Sequence, residues 1–287
     1  MLATREIWQT DPGASRKTLL KKVKGQVMVD DKERRLDHAK SLKHQGQLFR
    51  NTDPETASIW SSAVLQLPPE VLKFAMNAAQ DTLPHNANLA LWRKKEGLSD
   101  VCRLCGVRQT LPHVLNQCPV ALELRRYNTR HDAVLNVIQR EVKPLLSSGD
   151  KILADLPGPQ PYLFPPHITH TDLRPDIVIW NDETHTVCLV ELTICFDTRF
   201  HEAHSLKQAK YADLVLSIQQ ASGYFPELIT LEVGSRGPLN PKGFGELKAY
   251  VTAPTKEWTT MLTAITRTVL MESHKIWTMR NWKDPVH

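Results

Sequence analysis

The chain has no apolar run approaching the roughly 20 residues that a membrane-spanning helix needs. A helical span is therefore not expected. Its first residues, Met-Leu-Ala-Thr-Arg-Glu-Ile-Trp, lack the basic-then-apolar shape of a secretory signal. Cysteine is sparse and odd in number, five in 287 residues. Three of the five cluster around one histidine, which argues for a reducing, intracellular setting, nuclear or cytoplasmic, rather than a disulfide framework. A net positive charge is missing from most of the chain. The net charge is +5, yet residues 1 to 50 alone hold twelve Lys and Arg against six Asp and Glu. That basic front, with Arg16-Lys17, Lys21-Lys22 and Lys24, suits phosphate contacts whose affinity falls with salt. A solvated helix face or a disordered arm explains it equally well.

What is present begins with Arg174-Pro175-Asp176-Ile-Val-Ile-Trp180, a polar turn, and Thr186-Val-Cys-Leu-Val-Glu191-Leu-Thr-Ile194. Two strand-like runs about a polar turn read as a hairpin. Pairing them about the turn centre sets Asp176 opposite Glu191, with Cβ atoms ~5 Å apart. Two carboxylates that close repel unless a cation or a shared proton sits between them. A hard divalent ion such as Mg2+ suits them, because it takes oxygen ligands and keeps several waters. Glu191 also lies in an otherwise apolar run, where an unpaired carboxylate is costly. Downstream, a helix expected over 201–219 carries Lys207 and Lys210 three apart, on a face continued by Tyr211 and Leu214. Paired acids, a metal and a placed lysine are the parts needed to cleave a phosphodiester.

Upstream, Cys102-x2-Cys105-x7-His113-x4-Cys118 offers three thiolates and one imidazole at zinc-ligand spacing. Gly106 supplies the tight turn that such a knuckle needs. Between the two blocks lies Arg125-Arg126-Tyr127-Asn-Thr-Arg130-His131-Asp132. Its Arg125, Arg126 and Arg130 suit a nucleic-acid backbone, or they are exposed side chains of a connector.

The order Arg-Pro-Asp, fourteen residues, Glu-Leu-Thr, then Glu202-Ala203-His204 and Lys207-Gln-Ala-Lys210-Tyr211, resembles the restriction-like endonuclease of site-specific non-LTR retrotransposons. Those nucleases belong to the PD-(D/E)XK group. The general group carries its lysine two residues after the second acid. That position here is Thr193, and the chain is similar to the branch whose lysine has moved to the following helix. The Cys-Cys-His-Cys block resembles the knuckle that precedes the nuclease in the same elements. Glu232-Val-Gly-Ser-Arg-Gly237 resembles the family's closing strand and turn. The resemblance spans roughly residues 85 to 240.

The resemblance implies an α/β, PD-(D/E)XK nuclease core preceded by a helical region with a CCHC zinc knuckle. It implies a structural Zn2+ on Cys102, Cys105, His113 and Cys118, and Mg2+ or Mn2+ on Asp176 and Glu191. Lys207 or Lys210 would stabilise charge, Arg174 would contact phosphate or orient Asp176, and Tyr211 would help place the lysine against nucleic acid. The partner would be a DNA target, with element RNA as a further one. No polymerase is expected, since Asp30-Asp31 sits among charged residues rather than in an aromatic-x-Asp-Asp context.

The remaining expectations concern layout. Residues 1–50 read as basic and weakly structured, 51–100 as a helical platform (55–66, 70–81, 83–95), and 101–145 as the knuckle with a helix over 133–143. Residues 146–171 read as a linker rich in Pro, Gly and Ser, with His167 and His170 at its surface. The nuclease domain occupies 172–287. Its strands are expected over 174–180, 186–194 and 228–234, and its last helices over 244–251 and 256–281. Glu141 is a candidate extra acid, Cys188 and Cys195 are core residues, and Trp277 and Trp282 pack.

Overall fold

The computed structural model describes residues 13–43, 46–159 and 161–283. The first twelve residues of the basic front lie outside them.

The front is a helix of 26 residues, α1 (Arg16–Ser41), rather than a weakly structured arm. Lys, Arg, Leu and Met are good helix formers, and Ser15 caps its start by accepting from Thr18 N at 3.2 Å. Only Leu19 and Leu36 of α1 are buried, so the helix is thinly packed, as expected. The platform follows as α2 (Pro54–Val64), α3 (Pro69–Ala79) and α4 (Asn86–Trp92). Asp53 and Thr56 form a reciprocal capping box on α2. Helix α4 starts three residues later than expected. Pro84 disfavours helix at Leu83, and the His85 ring becomes the cap, accepting from Asn88 N at 3.1 Å.

Beyond the knuckle, α5 (Arg126–Val142) leads to a four-stranded sheet in the order β1-β2-β3-β4. Strand β1 is Asp150–Ala154, β2 Ile177–Asn181, β3 Thr186–Cys195 and β4 Phe225–Gly234. The first three strands are antiparallel in sequence, while β3 and β4 run parallel, joined by α6 (Phe200–Ala221). Helices α7 (Pro241–Tyr250) and α8 (Thr255–Thr278) complete the chain. The segment expected as a linker therefore contains the edge strand β1. It also contributes Phe164 and Ile168 to the core. Five residues between Gly149 and a Pro-Gly turn gave little periodicity to read.

Strand β3 alternates between two layers. Cys188, Val190 and Leu192 join β2 and β4 against α5, α7 and α8 in the larger core. Val187 and Leu189 turn to Tyr211, Leu214 and Ile218 of α6. Trp258, Leu262, Ile265, Val269 and Ile276, at helical spacing, form a stripe buried along α8, and Trp277 packs with it. Trp282, also expected to pack, is 65% exposed.

At the carboxyl ends of β3 and β4 lies a buried ion pair. Arg236 Nε donates to Asp197 Oδ2 at 2.5 Å, and both side chains are 1% exposed. Arg236 also donates to Ala78 O at 3.1 Å and lies 4.5 Å over the Phe196 ring. Its carbonyl accepts from Trp60 Nε1 at 2.9 Å, and Asp197 O accepts from Asn51 Nδ2 at 2.9 Å. Gly234 must lack a side chain here, since a Cβ would fall 1.9 Å from Asp197 Oδ1. Burial raises the Asp197 pKa even though the guanidinium opposes that shift. We expect Asp197→Ala or Arg236→Met alone to cost about 3–5 kcal/mol, because each strands a buried charge. The double replacement Asp197→Ala with Arg236→Met should cost much less than the sum. Additive losses in a denaturant double-mutant cycle would rule out direct coupling.

Candidate active site and metal centre

The register pairs Ile177 with Val190, which places Asp176 and Glu191 at the next facing position, as the hairpin reading required. Strand β2 begins at Ile177 rather than 174. Pro175 has no N–H to give a ladder, and Asp176 N turns instead to the Glu191 side chain, donating to Oε2 at 3.1 Å. Leu192 N donates back to Asp176 Oδ2 at 2.7 Å. Each acid side chain thus accepts a backbone N–H from the facing strand segment, Glu191 from Asp176 and Asp176 from Leu192, which fixes their separation.

Helix α6 brings the lysines. Lys207 Nζ donates to Glu191 Oε1 at 2.5 Å, and Lys210 Nζ lies 3.6 Å from the same oxygen. Glu191 is 2% exposed at its side chain, Lys207 26% and Lys210 45%, so Lys207 is the inner of the two. Tyr211 is fully buried and has no surface for nucleic acid. Its hydroxyl accepts from Lys210 Nζ at 2.8 Å and donates to Arg174 O at 3.0 Å. Burial, with the Glu191 charge nearby, pushes its pKa far above the usual phenol value. Arg174 pairs with Asp155 and lies 5.2 Å over the Tyr162 ring, so it reaches neither Asp176 carboxylate oxygen in this structure.

One residue went unnoticed in the sequence reading. His131 Nε2 lies 3.3 Å from Asp176 Oδ2, and its Nδ1 lies 3.3 Å from Asp132 Oδ1. Burial works against a charged ring, but hydrogen bonds and charge from Asp176 and Asp132 raise the His131 pKa overall. The adjacent pair His131-Asp132 was the only sequence signal for it. A cavity of about 520 Å3 opens beside these groups, lined by Arg125, Asn128, Asp155, Tyr162 and Asp176 among others.

The other two arginines of the basic run have different partners. Arg126 is 5% exposed and donates to Met279 O at 2.7 Å and Trp282 O at 2.5 Å. Arg130 is 1% exposed, donates to Ser273 Oγ at 3.0 Å and lies over Tyr127. Both hold α8 from within, so the reading of them as nucleic-acid contacts does not fit their burial. Glu141 pairs with Arg140, ten residues or about 15 Å along α5 from His131, away from the acids.

The four knuckle residues converge. Their ligand atoms all lie within 4.8 Å of one another. Cys118 Sγ is 3.9 Å from Cys105 Sγ, and Cys105 Sγ is 3.3 Å from His113 Nε2. A tetrahedron with Zn–S near 2.3 Å has S···S edges of ~3.8 Å, so the cluster can hold a metal such as zinc. Gly106 takes φ +75° in the turn after Cys105, and His113 opens a widened helical turn, His113–Gln117. Burial lowers the His113 pKa, which keeps the ring neutral and ready to ligate. Burial also pushes the Cys118 thiol up to about 11. Burial would raise Cys102 as well, but hydrogen bonds from the Leu104 and Cys105 backbone outweigh it and lower its pKa.

The knuckle is built into the domain. Leu111, Val114 and Leu115 share one core cluster with Phe74, Phe196, Ile276 and Trp277. Asn116 Nδ2 donates to Ile194 O of β3 at 3.0 Å. No protein-family model and no curated protein matches the chain.

We expect one zinc per chain by elemental analysis and none in Cys102→Ser. Ligands must be deprotonated to bind, and the metal-free Cys118 thiol is protonated at neutral pH, so zinc binding should release protons. Affinity should therefore weaken as pH falls. Calorimetry in two buffers of different ionisation enthalpy reads the release; binding with no proton release would contradict the thiolate assignment.

Proposed function

We propose that the chain is a metal-dependent DNA endonuclease with a PD-(D/E)XK-type core, similar to the restriction-like nuclease of site-specific non-LTR retrotransposons. The observation that carries this reading is the convergence of Asp176, Glu191 and Lys207 at one end of the β2–β3 hairpin, beside an open cavity. The knuckle zinc is structural in this reading.

Asp176 and Glu191 would supply the carboxylate oxygens that hold Mg2+ or Mn2+. No described residue donates to Asp176 Oδ1, and a hard cation suits that oxygen. When bound, the cation supplies a Lewis acid for the phosphate and a more nucleophilic water. Lys207 stabilises charge that develops on the phosphoryl oxygens, and Lys210, held by Tyr211, adds positive potential behind it. His131, held by Asp132, steadies the Asp176 carboxylate. Arg125 and Arg174 line the cavity where a DNA strand would pass.

A second reading is an inactive nucleic-acid-binding module. It is favoured by one fact: Glu191 is satisfied without a cation, by Lys207 on Oε1 and Asp176 N on Oε2.

Nicking of supercoiled plasmid in Mg2+ or Mn2+ separates the two. We expect wild type to nick and Asp176→Ala to lose cleavage while keeping DNA affinity. Lys207→Ala should lose about 10²–10³-fold in rate, and Lys210→Ala distinctly less, given the longer approach of Lys210 to Glu191. Binding of DNA by both wild type and Asp176→Ala, with no nicking by either, would favour the module.

A further inference from the structure

The cavity beside Asp176, through which the nuclease reading passes a DNA strand, has a size and a lining that define what can enter it. We propose that it seats one unpaired nucleotide of the DNA, next to the phosphate that is cut. The inference rests on the nuclease reading.

Size comes first. A volume of about 520 Å3 falls within the roughly 300–1,000 Å3 of pockets that take small organic ligands. A nucleotide fits that range and a double helix does not. The walls match a flat, polar-edged ring. Leu156, Pro157 and Tyr162 give apolar surface, and the Asn128 amide offers a donor and an acceptor to a base edge. Arg125 and Arg174 lie in the same lining, where they can meet the flanking phosphates.

Charge does not forbid a polyanion there. Three aspartates line the cavity, but each has a cationic or ionisable partner. Arg174 pairs with Asp155, and His131 stands between Asp132 and Asp176. The chemistry asked of the ligand is therefore that of a base with hydrogen-bonding edges on a phosphate backbone. Inside a duplex such a base is stacked and paired, and it must be unstacked to enter.

Gly158 provides the test. It lines the cavity, its φ is not positive, and an added Cβ would meet only Leu156 O, at 3.9 Å. A large side chain can therefore be placed there without backbone conflict. Short duplexes would be built across a nick site mapped in plasmid. One is fully paired; in the other the nucleotide beside the cut is mispaired. We expect the mispaired duplex to be cut about tenfold faster or more, because its unstacking cost is already met. Gly158→Phe should slow cutting of both by a similar factor, with an unchanged melting temperature. Equal rates on the two duplexes, or a Gly158→Phe protein as active as wild type, would overturn the inference and leave the nuclease reading standing. Absence of any nick in plasmid would overturn both.

Discussion

The buried pair of Asp197 and Arg236 is the constraint around which this molecule is arranged. An ion pair out of water loses hydration that only good geometry and further hydrogen bonds can offset. Here Arg236 sits at the end of β4 and Asp197 just past the end of β3, so the pair closes the parallel half of the sheet. The same guanidinium caps α3 through Ala78 O, and the same backbone receives Trp60 from α2. One salt bridge thus ties the helical platform to the sheet. It also sets the site. Helix α6 starts three residues after Asp197 and presents Lys207 two turns later. Where that lysine stands against Glu191 depends on how the crossover leaves the pair.

Glu191 is the second constraint. It lies on the α6 face of β3, where Leu189 two residues earlier is core. A carboxylate in that position is costly without partners. It has a backbone N–H on one oxygen and lysine on the other. The cost of removing it from water is offset locally, which makes a rigid acid with a defined direction. Asp176 is held as firmly by Leu192 N and by His131. The acidic cluster is therefore assembled before any ligand arrives.

Much of this was legible because the signals were local. Two β-rich runs paired about a polar turn between Trp180 and Thr186 gave the hairpin its register. Cysteine spacing located the cluster that could hold a metal, and the spacing of Lys207 and Lys210 put them on one helix face. What stayed hidden was long-range or non-periodic. Strand β1 has four half-buried residues, an exposed Lys151 and no clean alternation, and only pairing with β2 reveals it as a strand. His131 looked like part of a basic run, because its partner Asp176 is 45 residues away. Arg126 and Arg130 looked like surface charges for the same reason. Arginine's planar fork suits buried carbonyl and hydroxyl acceptors as readily as phosphate, and their acceptors lie in and just after α8, 143 residues or more downstream.

The burial of those two arginines changes what the knuckle does. A knuckle that grips nucleic acid needs its basic residues outward, yet two of the three following it point into the domain. The knuckle's own apolar residues join a core shared with α3 and α8, and Asn116 reaches the strand that bears Glu191. Tyr127 accepts from Cys118 N at 3.0 Å and donates to Val114 O at 3.0 Å, so α5 is stitched to the ligand loop as well. That helix carries His131 one turn further on. A metal in the cluster would therefore stiffen two routes to Asp176 and Glu191, one through α5 and one through the end of β3. On this argument the knuckle is a brace for the acidic site, tied to it through α5 and through the end of β3.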